Sequence, residues 1–352
     1  MNQIAKNCDT NMTTQKLSLL EGVNLALDYA MSESDQVVVL GEDIAVNGGV
    51  FRATDHLRDK YGVKRVMDTP LAETMIAGMT IGMATQGLRP VAEIQFMGFI
   101  YAALEQLIGH AARMRNRTRG RLTCPLVIRA PYGGGIHAPE HHCESTEAIF
   151  AHVPGLRVVI PSSPKRAYGL LLSAIRSNDP VIFLEPKRIY RISKSEIENN
   201  GEGMPLDCCF ILKQGKDMTL VSWGAMIVET MKAAEVLQEK GISCEVVDVA
   251  SISPLDHQTI VNSVNKTGRC MVIHEAARTC GVGAEIAATV SEQAFPFLKA
   301  PVSRITGYDT IMPYFKNENY YLPSVEKIVD IAIETCGFEQ LNEAQEVGHA
   351  SL

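Results

Sequence analysis

The sequence predicts an α/β protein in which two consecutive domains each contain a largely parallel sheet covered by helices. Two observations lead to this fold class. Short runs of apolar and β-branched residues alternate with segments of helical periodicity, the pattern of buried parallel strands joined by helices. The alternation stops over residues 187–217, a charged stretch with an Asn-Asn-Gly-Glu-Gly turn signal, and then restarts. We therefore expect a second, smaller α/β domain after a linker.

In the first half of the chain, five apolar runs are predicted to be strands and four periodic segments to be helices. The last of these helices has the clearest start, because two serines precede it and Pro164 suits a first helical position. The predicted strands cover 37–43, 91–96, 125–131, 156–161 and 180–186, and the predicted helices cover 18–31, 71–86, 100–118 and 164–177.

The second half repeats this pattern, which divides the chain into a domain over 16–200 and a domain over 201–338. We expect a flexible leader over 1–15 and a flexible tail over 339–352, since both are polar and lie at the chain ends. The predicted strands cover 218–224, 244–249, 270–276 and 302–307, and the predicted helices cover 226–240, 256–265, 283–294 and 324–335.

Composition narrows the function classes. The 352 residues are 46% hydrophobic and carry a net charge of −7, which fits a globular core and disfavours a surface for nucleic acid or anionic lipid. We interpret the alternating arginines between 113 and 121 as a solvated helix end. The nine cysteines show no framework spacing, which is typical of free thiols in a reducing compartment. Without a signal peptide or a charge-free apolar span, a cytoplasmic location is expected.

Glu73 is the first candidate catalytic residue. It lies near the predicted start of an apolar helix, where Thr69 and Pro70 suit the cap and the first turn. An acid is favoured there by the helix dipole alone, by about 0.3–1 kcal/mol. However, the neighbouring residues are small and apolar, and no lysine or arginine occurs between Arg65 and Arg89. A carboxyl that is desolvated without a cation keeps its proton near neutral pH and can donate it to a ring nitrogen. The sequence leaves two explanations of Glu73 open: an acid favoured by the helix dipole, and a protonated carboxyl that donates to a ring nitrogen.

A glycine-rich loop, GGGIHAPEHHCES (133–145), follows a predicted strand and contains His137, His141 and His142. Three interpretations are open. The loop is a polar surface segment; or one histidine is a general acid–base group, since histidine titrates near working pH; or His137, His141 and Cys143 bind a metal in a hydrolase site. No regular helix fixes the spacing of these three ligand types, which disfavours the metal.

Another strand exit, EIQFMGF (93–99), places Phe96 and Phe99 either in the core or against a flat ring. Two motifs are missing from the sequence. It has no GxxxxGK[ST] phosphate loop and no Gly-Asp-Gly motif of the kind that binds magnesium and a diphosphate.

With these segments in place, the chain resembles the beta subunits of the decarboxylating component of 2-oxo acid dehydrogenase complexes, over about residues 16–338. The resemblance implies a pyrimidine-type, thiamine-diphosphate-binding domain followed by a transketolase C-terminal-like domain. It also implies an α₂β₂ heterotetramer whose alpha subunit holds magnesium and the diphosphate, which accounts for the missing Gly-Asp-Gly. The matching segments are LGEDIAVNGGVFRAT, RVMDTPLAET, GLRPVAEIQFMGF, GGGIHAPEHH, LRVVIPSSP, SNDPVIFLEPKRIYR, GISCEVVDVASISPLD and APVSRITGYDT.

The resemblance also implies roles for individual residues. Glu73 would hydrogen-bond the aminopyrimidine ring and favour its imino tautomer, Phe99 would pack on that ring, and Gln95 would lie one strand turn earlier. His142 would assist reductive acylation of a lipoyl arm, and His137 would lie on the substrate side. The sequence departs from the family at His141 and Cys143, and the register of the following STEAIFAH favours His142 over His141. Some relatives hold potassium on backbone carbonyls that match Leu126, Ala174, Ile175, Ser177 and Asp179.

The implied activity is oxidative decarboxylation of a 2-oxo acid together with acyl transfer to a lipoyl acyltransferase core. Pyruvate is the favoured substrate, with branched-chain 2-oxo acids and acetoin as alternatives, because one methylene changes selectivity by only about 1–3 kcal/mol. A non-catalytic scaffold that docks a partner through the second domain is the alternative from another class.

Overall fold

A computed structural model of the chain describes residues 14–349, with side chains described for 14–337. The predicted leader therefore lies almost entirely outside the described residues. The described strands are β1 (Thr14–Ser18), β2 (Val37–Gly41), β3 (Val66–Asp68), β4 (Arg89–Glu93), β5 (Val127–Tyr132), β6 (Arg157–Val159), β7 (Val181–Pro186), β8 (Lys194–Glu198), β9 (Phe210–Lys213), β10 (Met218–Ser222), β11 (Cys244–Asp248), β12 (Ser251–Ser253), β13 (Cys270–Ile273) and β14 (Ser303–Ile305).

Helices cover the sheets, and several short 3-10 turns connect the elements. The described α-helices are α1 (Leu19–Glu33), α2 (Leu57–Tyr61), α3 (Glu73–Thr85), α4 (Leu104–Gly109), α5 (Met114–Arg117), α6 (Glu147–Ala151), α7 (Pro164–Arg176), α8 (Ile227–Glu239), α9 (His257–Thr267), α10 (Val282–Gln293), α11 (Glu318–Tyr321) and α12 (Val325–His349).

The first sheet has seven strands in the order β12-β6-β7-β5-β4-β2-β3. The strands from β6 to β3 run parallel, and β12 pairs antiparallel with β6 at one edge. Strand β12 comes from the second half of the chain, so the two halves share this sheet. Each interior strand is buried along nearly its whole length, as a parallel sheet covered on both faces requires.

The second sheet has five strands in the order β14-β13-β10-β11-β9. Its first four strands are parallel, and β9 is antiparallel at the edge. A separate two-stranded sheet pairs β1 with β8. Strands β8 and β9 both lie within residues 187–217, where the sequence predicts only a linker. Strand β8 is polar and mostly exposed, so it lacks the apolar run by which the buried strands are predicted. Strand β9 is apolar, but it has only four residues and lies within a charged stretch.

The prediction of one continuous helix over 100–118 is wrong. The structure has a 3-10 helix at Met97–Ala103, then α4, a second 3-10 turn and α5. The break follows Gly109, where His110 leaves the helical region with φ −123°. Helix α3 begins at Glu73, later than the predicted cap at Thr69, and α12 continues across residues 339–349, where a flexible tail is expected. The composition of that segment, rich in Glu, Gln and Ala, is compatible with a continued helix.

A buried charge cluster stiffens the centre of the first sheet. Arg129 on β5 bonds Glu93 on β4 at 2.9 Å and Glu185 on β7 at 2.6 Å, and Tyr190 donates to Glu185 at 2.6 Å. These side chains are almost fully buried, and burial raises the pKa of Glu93. The cluster ties three neighbouring strands together directly beneath the loops that leave their carboxyl ends.

Two expectations from composition can be compared with the described residues. Eight of the nine cysteines are described and all eight are free thiols, whereas Cys8 lies outside the described residues. Over residues 14–349, no helix combines the length and the apolarity that crossing a membrane requires.

Candidate active site

The sequence-predicted site residues follow neighbouring strands of the first sheet. Gln95 and Phe99 follow β4, and the loop of His137 and His142 follows β5; Glu42, which was not predicted, follows β2. Strands β2, β4 and β5 are adjacent and parallel, so their carboxyl ends open at one edge. In α/β sheets of this kind, ligands bind outside the carboxyl ends of the strands.

Glu73 is the first residue of α3, and the preceding Ala72 makes no side-chain cap. The Glu73 side chain is half-buried. Within the described part of the chain, its carboxylate forms no hydrogen bond or ion pair. Helix α3 is held against the segment after β4 by the Thr74 hydroxyl, which donates to the carbonyl of Ala102 at 2.5 Å. This contact brings Glu73 to the same side of the sheet as Phe99 and leaves its carboxylate available to a ligand.

Glu42 is an acid beside Glu73 that the sequence analysis did not single out. It is 2% exposed, and neither of its carboxylate oxygens has a hydrogen-bond partner among the described residues. Burial, followed by the negative charge of Glu73, raises the pKa of Glu42 to about 7, although the nearby backbone N–H of Ala72 opposes this shift. A buried acid that holds its proton near neutral pH therefore lies next to the candidate catalytic carboxylate. The sequence feature that could have identified Glu42 is its position directly after the apolar run VVVLG.

Three rings form an aromatic cluster beside these acids. The His142 ring lies edge-on to Phe96 and Phe99, with centroid distances of 4.6 and 5.3 Å. Phe96 is buried and packs with Phe51, which favours its interpretation as a core residue. Phe99 is half-buried and keeps part of its surface open. The Nδ1 atom of His142 is buried without a hydrogen-bond partner in the described residues.

His141 and His137 lie at the exposed rim of the same loop. The His141 ring is 5.3 Å from Phe99, so both adjacent histidines contact this aromatic. His137 is 3.5 Å from the carboxylate of Glu318 and 5.4 Å from the ring of Phe315. Cys143 is buried, and its thiol donates to the carbonyl of Ala138.

The metal interpretation of His137, His141 and Cys143 is not supported by this geometry. No group of three His, Cys, Asp or Glu side chains among the described residues is placed to hold a metal ion. Two of the three residues point outward on the loop and the third is buried beneath it. The loop instead packs tightly on the segment after β4, where a Cβ at Gly98 would collide with the carbonyl oxygen of His141.

The carbonyls matched to a potassium site already accept hydrogen bonds. Arg89 donates to the carbonyls of Ile175 and Ser177 at 3.0 and 2.9 Å, so a cationic side chain already serves two of the five. The other three accept as well: Leu126 from the Val181 N–H, Ala174 from the Ser177 N–H, and Asp179 from the Ser177 hydroxyl. A carbonyl oxygen has two lone pairs and can accept a hydrogen bond while it binds a cation, so the potassium site stays a prediction, and no step is assigned to the ion.

Helix α3 also carries an exposed apolar stripe, formed by Leu71 just before the helix and by Met75 and Gly82 on it. Leu71 is 79% exposed and Met75 is 41% exposed. At Gly82 nothing lies within 4 Å of the place where a Cβ would be. Exposed apolar and small residues on one side of a helix that begins at Glu73 are suited to close packing by another chain.

The residues present fit an aminopyrimidine ring. Glu73 offers a carboxylate without a protein partner, Glu42 is a buried acid behind it, and Phe99 offers a partly open aromatic face. Gln95 is half-buried at the end of the strand that leads to Phe99. In the part of the chain that the structure describes, no cluster is suited to magnesium.

Comparison with known protein families divides the chain into two domains. The model of the transketolase pyrimidine-binding domain matches residues 15–193, and that of the transketolase C-terminal domain matches residues 209–328. A split-gene transketolase, solved as an inactive beta4 tetramer, superposes with a TM-score of 0.76 and covers 92% of this chain and 100% of its own. At 22% identity this likeness shows the fold alone, and it confirms the predicted fold class.

Curated relatives are similar over nearly the whole chain. The pyruvate dehydrogenase E1 component subunit beta of Acholeplasma laidlawii is 50% identical over 312 residues, which are 89% of this chain and 95% of that protein. The subunit of the same name from Staphylococcus epidermidis is 45% identical over 323 residues, 92% of this chain and 99% of its own. These similarities confirm the resemblance identified in the sequence. The chain therefore belongs to the family of pyruvate dehydrogenase E1 beta subunits.

Proposed function

We propose that this chain is the beta subunit of a thiamine-diphosphate-dependent 2-oxo acid dehydrogenase, acting with an alpha subunit on pyruvate. The complete reaction is oxidative decarboxylation followed by reductive acylation of a lipoyl group on an acyltransferase core. The observation that carries the proposal is that Glu73 and Phe99 lie on two segments that pack together, α3 and the 3-10 helix after β4. Both side chains are half-buried, and the Glu73 carboxylate has no protein partner among the described residues. The names of the curated relatives support pyruvate as substrate.

Thiamine diphosphate, when bound, supplies a carbon nucleophile and an electron sink for loss of carbon dioxide from a 2-oxo acid. Glu73 would hydrogen-bond the aminopyrimidine nitrogen, with Phe99 against the ring and Gln95 beside it. Since the sequence has no Gly-Asp-Gly motif, we assign magnesium and the diphosphate to the alpha subunit.

The side chains of this chain would hold and move protons at the reacting centre. Glu73 would hold or exchange a proton at the ring nitrogen, and the buried acid Glu42, with its pKa raised to about 7, would limit how much negative charge accumulates beside it. The half-buried His142 would act as acid or base in acyl transfer to the lipoyl sulfur. His137, at the exposed rim of the loop, would face the substrate.

We further propose a heterotetramer of two alpha and two beta chains, in which the stripe of Leu71, Met75 and Gly82 packs against another chain. Replacing Gly82 with Leu is expected to keep or raise the melting temperature of the isolated chain, because a Cβ there meets nothing within 4 Å and glycine is unfavourable in helices. The same change should reduce co-purification with the alpha subunit at least tenfold. Size-exclusion chromatography and calorimetry measure the two effects.

Gly87 is the matched control for Gly82, since a Cβ there also meets nothing within 4 Å but the residue lies beyond the end of α3. Its positive φ of 91° favours asparagine as the replacement. Gly87→Asn should assemble normally. Normal assembly of Gly82→Leu would contradict the proposed packing of this stripe.

The proposed function is tested by co-expression with the alpha subunit and a panel of pyruvate, 2-oxoisovalerate and acetoin. We expect turnover to be highest with pyruvate and to require added thiamine diphosphate. A folded complex that turns over none of the three, yet binds the acyltransferase core, would favour the scaffold alternative. We also propose a cytoplasmic location, which the eight free thiols support because such thiols persist in a reducing compartment.

A further inference from the structure

The loop that carries His137 and His142 has little regular structure of its own. Between the end of β5 and Cys143, its one regular element is the 3-10 turn Glu140–His142. Gly133 and Gly135 have φ values of 85° and 87°, and His137 has φ 59°. A residue other than glycine keeps such a conformation only where its surroundings impose it. External contacts must therefore fix this loop.

Two buried acids from the second half of the chain provide those contacts. Glu318, the first residue of α11, accepts hydrogen bonds from the backbone N–H of Gly135 with one oxygen and from that of His137 at 2.9 Å with the other. Glu275, just after β13, accepts from the backbone N–H of Gly134 at 3.2 Å. Both carboxylates are almost fully buried, at 1% and 2% exposure, so the geometry of these bonds is well defined.

A buried cation accompanies the two acids. Lys187 is 3% exposed, and its ammonium has no hydrogen-bond partner in the described residues. Burial lowers the pKa of the Lys187 ammonium, and the nearby Glu275, Cys143 and Glu318 oppose this shift. The resulting pKa is about 8. A buried positive charge thus lies close to the two carboxylates that accept from the backbone N–H groups of the loop.

The opposite side of the loop rests on the candidate active site. The carbonyl of His141 packs on Gly98, and the ring of His142 lies against Phe96 and Phe99. Only four residues separate His137, which Glu318 fixes, from His142. A shift of the Glu318 contact would therefore move the His142 ring relative to the rings of Phe96 and Phe99.

We infer that Glu318 is a positioning residue, through which the second half of the chain fixes the backbone of the His142 loop. The inference deepens the proposed function and rests on it for the role of His142. Replacing Glu318 with Gln keeps the size of the side chain but turns one acceptor oxygen into an amide group that cannot accept a hydrogen bond. One of the two loop N–H groups then loses its partner.

The test uses the co-expressed alpha–beta complex and measures two quantities independently. Hydrogen–deuterium exchange over residues 133–143 reports on the loop itself, and turnover with pyruvate and lipoylated acceptor reports on chemistry. For Glu318→Gln we expect faster exchange confined to this segment and a loss of turnover of about 10- to 100-fold, typical of a small displacement of a catalytic group. Glu326→Gln, an exposed acid at the start of α12, is the control and should change neither quantity.

A double-mutant cycle separates positioning from a general loss of stability. If Glu318 acts through His142, then Glu318→Gln should add less than about threefold to the loss caused by His142→Ala, because coupled residues are not additive. Unchanged exchange over 133–143, or fully additive losses, would overturn the inference. If Glu318→Gln does not yield a folded complex, Glu318→Asp is measured in the same way. An inactive wild-type complex would instead refute the proposed function, while the exchange measurement would still decide whether Glu318 holds the loop.

Discussion

Replacing Glu73 with Gln is expected to lower turnover by about 10²–10⁴-fold, the usual loss for a general acid–base group. Glutamine keeps the shape of the side chain but can neither release nor take up a proton at the ring nitrogen. Since Glu73 makes no hydrogen bond or ion pair within the described part of the chain, its loss should leave the fold and the assembly unchanged. Steady-state kinetics of the co-expressed complex, with assembly checked by light scattering, measure both outcomes.

Glu285 provides the control for the helix-dipole explanation of Glu73. It is an exposed acid in the first turn of α10, so Glu285→Gln makes the same change of charge at a helix start away from the candidate site. We expect this control to retain full turnover. Near wild-type turnover in Glu73→Gln would mean that Glu73 is only a helix-start acid, and the proposed chemistry would lose its central residue.

Replacing His142 with Ala is expected to separate the two halves of the reaction. Acyl transfer to lipoamide should fall by about 10²–10⁴-fold, because the imidazole would exchange the proton of the lipoyl sulfur. Decarboxylation followed with an artificial electron acceptor should fall much less, since that assay has no lipoyl sulfur to protonate. Measuring both rates on the same preparation gives the ratio directly.

His141→Ala is the matched variant, because this neighbour also contacts the Phe99 ring but lies at the exposed rim. We expect it to change either rate by less than about tenfold. Equal losses in both assays for His142→Ala would argue against a specific role in acyl transfer. A loss confined to acyl transfer in His141→Ala would assign that role to His141 instead of His142.

The sequence predicts the buried core strands well and the irregular segments poorly. Strands such as β5 and β7 are continuous apolar runs, so composition alone identifies them. Strands β8 and β9 are short edge elements inside a charged stretch, and their pairing depends on partners distant in sequence. The prediction of one helix over 100–118 is wrong for a similar reason. The break at Gly109 and His110 is local, and the sequence around it otherwise favours a helix.

Some residues of the candidate site could likewise be predicted from the sequence, and others could not. Glu73, Phe99 and His142 could be proposed from the sequence because each follows a recognisable strand or opens a helix. Glu42 is different, since its raised pKa comes from burial and from the charge of Glu73, neither of which is visible in the sequence. Glu318 contacts loop backbone more than 180 residues earlier in the chain, and a hydrogen bond to backbone leaves no sequence pattern at either end.

Strand β12 has a consequence for how the protein is made. It covers the edge strand β6 of the first sheet, yet about 90 residues of synthesis separate the two strands. At about 5–20 residues per second, a nascent chain exposes the β6 edge for roughly 5–20 s before its partner leaves the ribosome. Exposed sheet edges invite pairing with other chains. The β6 edge of the first sheet is therefore covered only after residues 251–253 have been translated, and until then it is open to pairing with other chains.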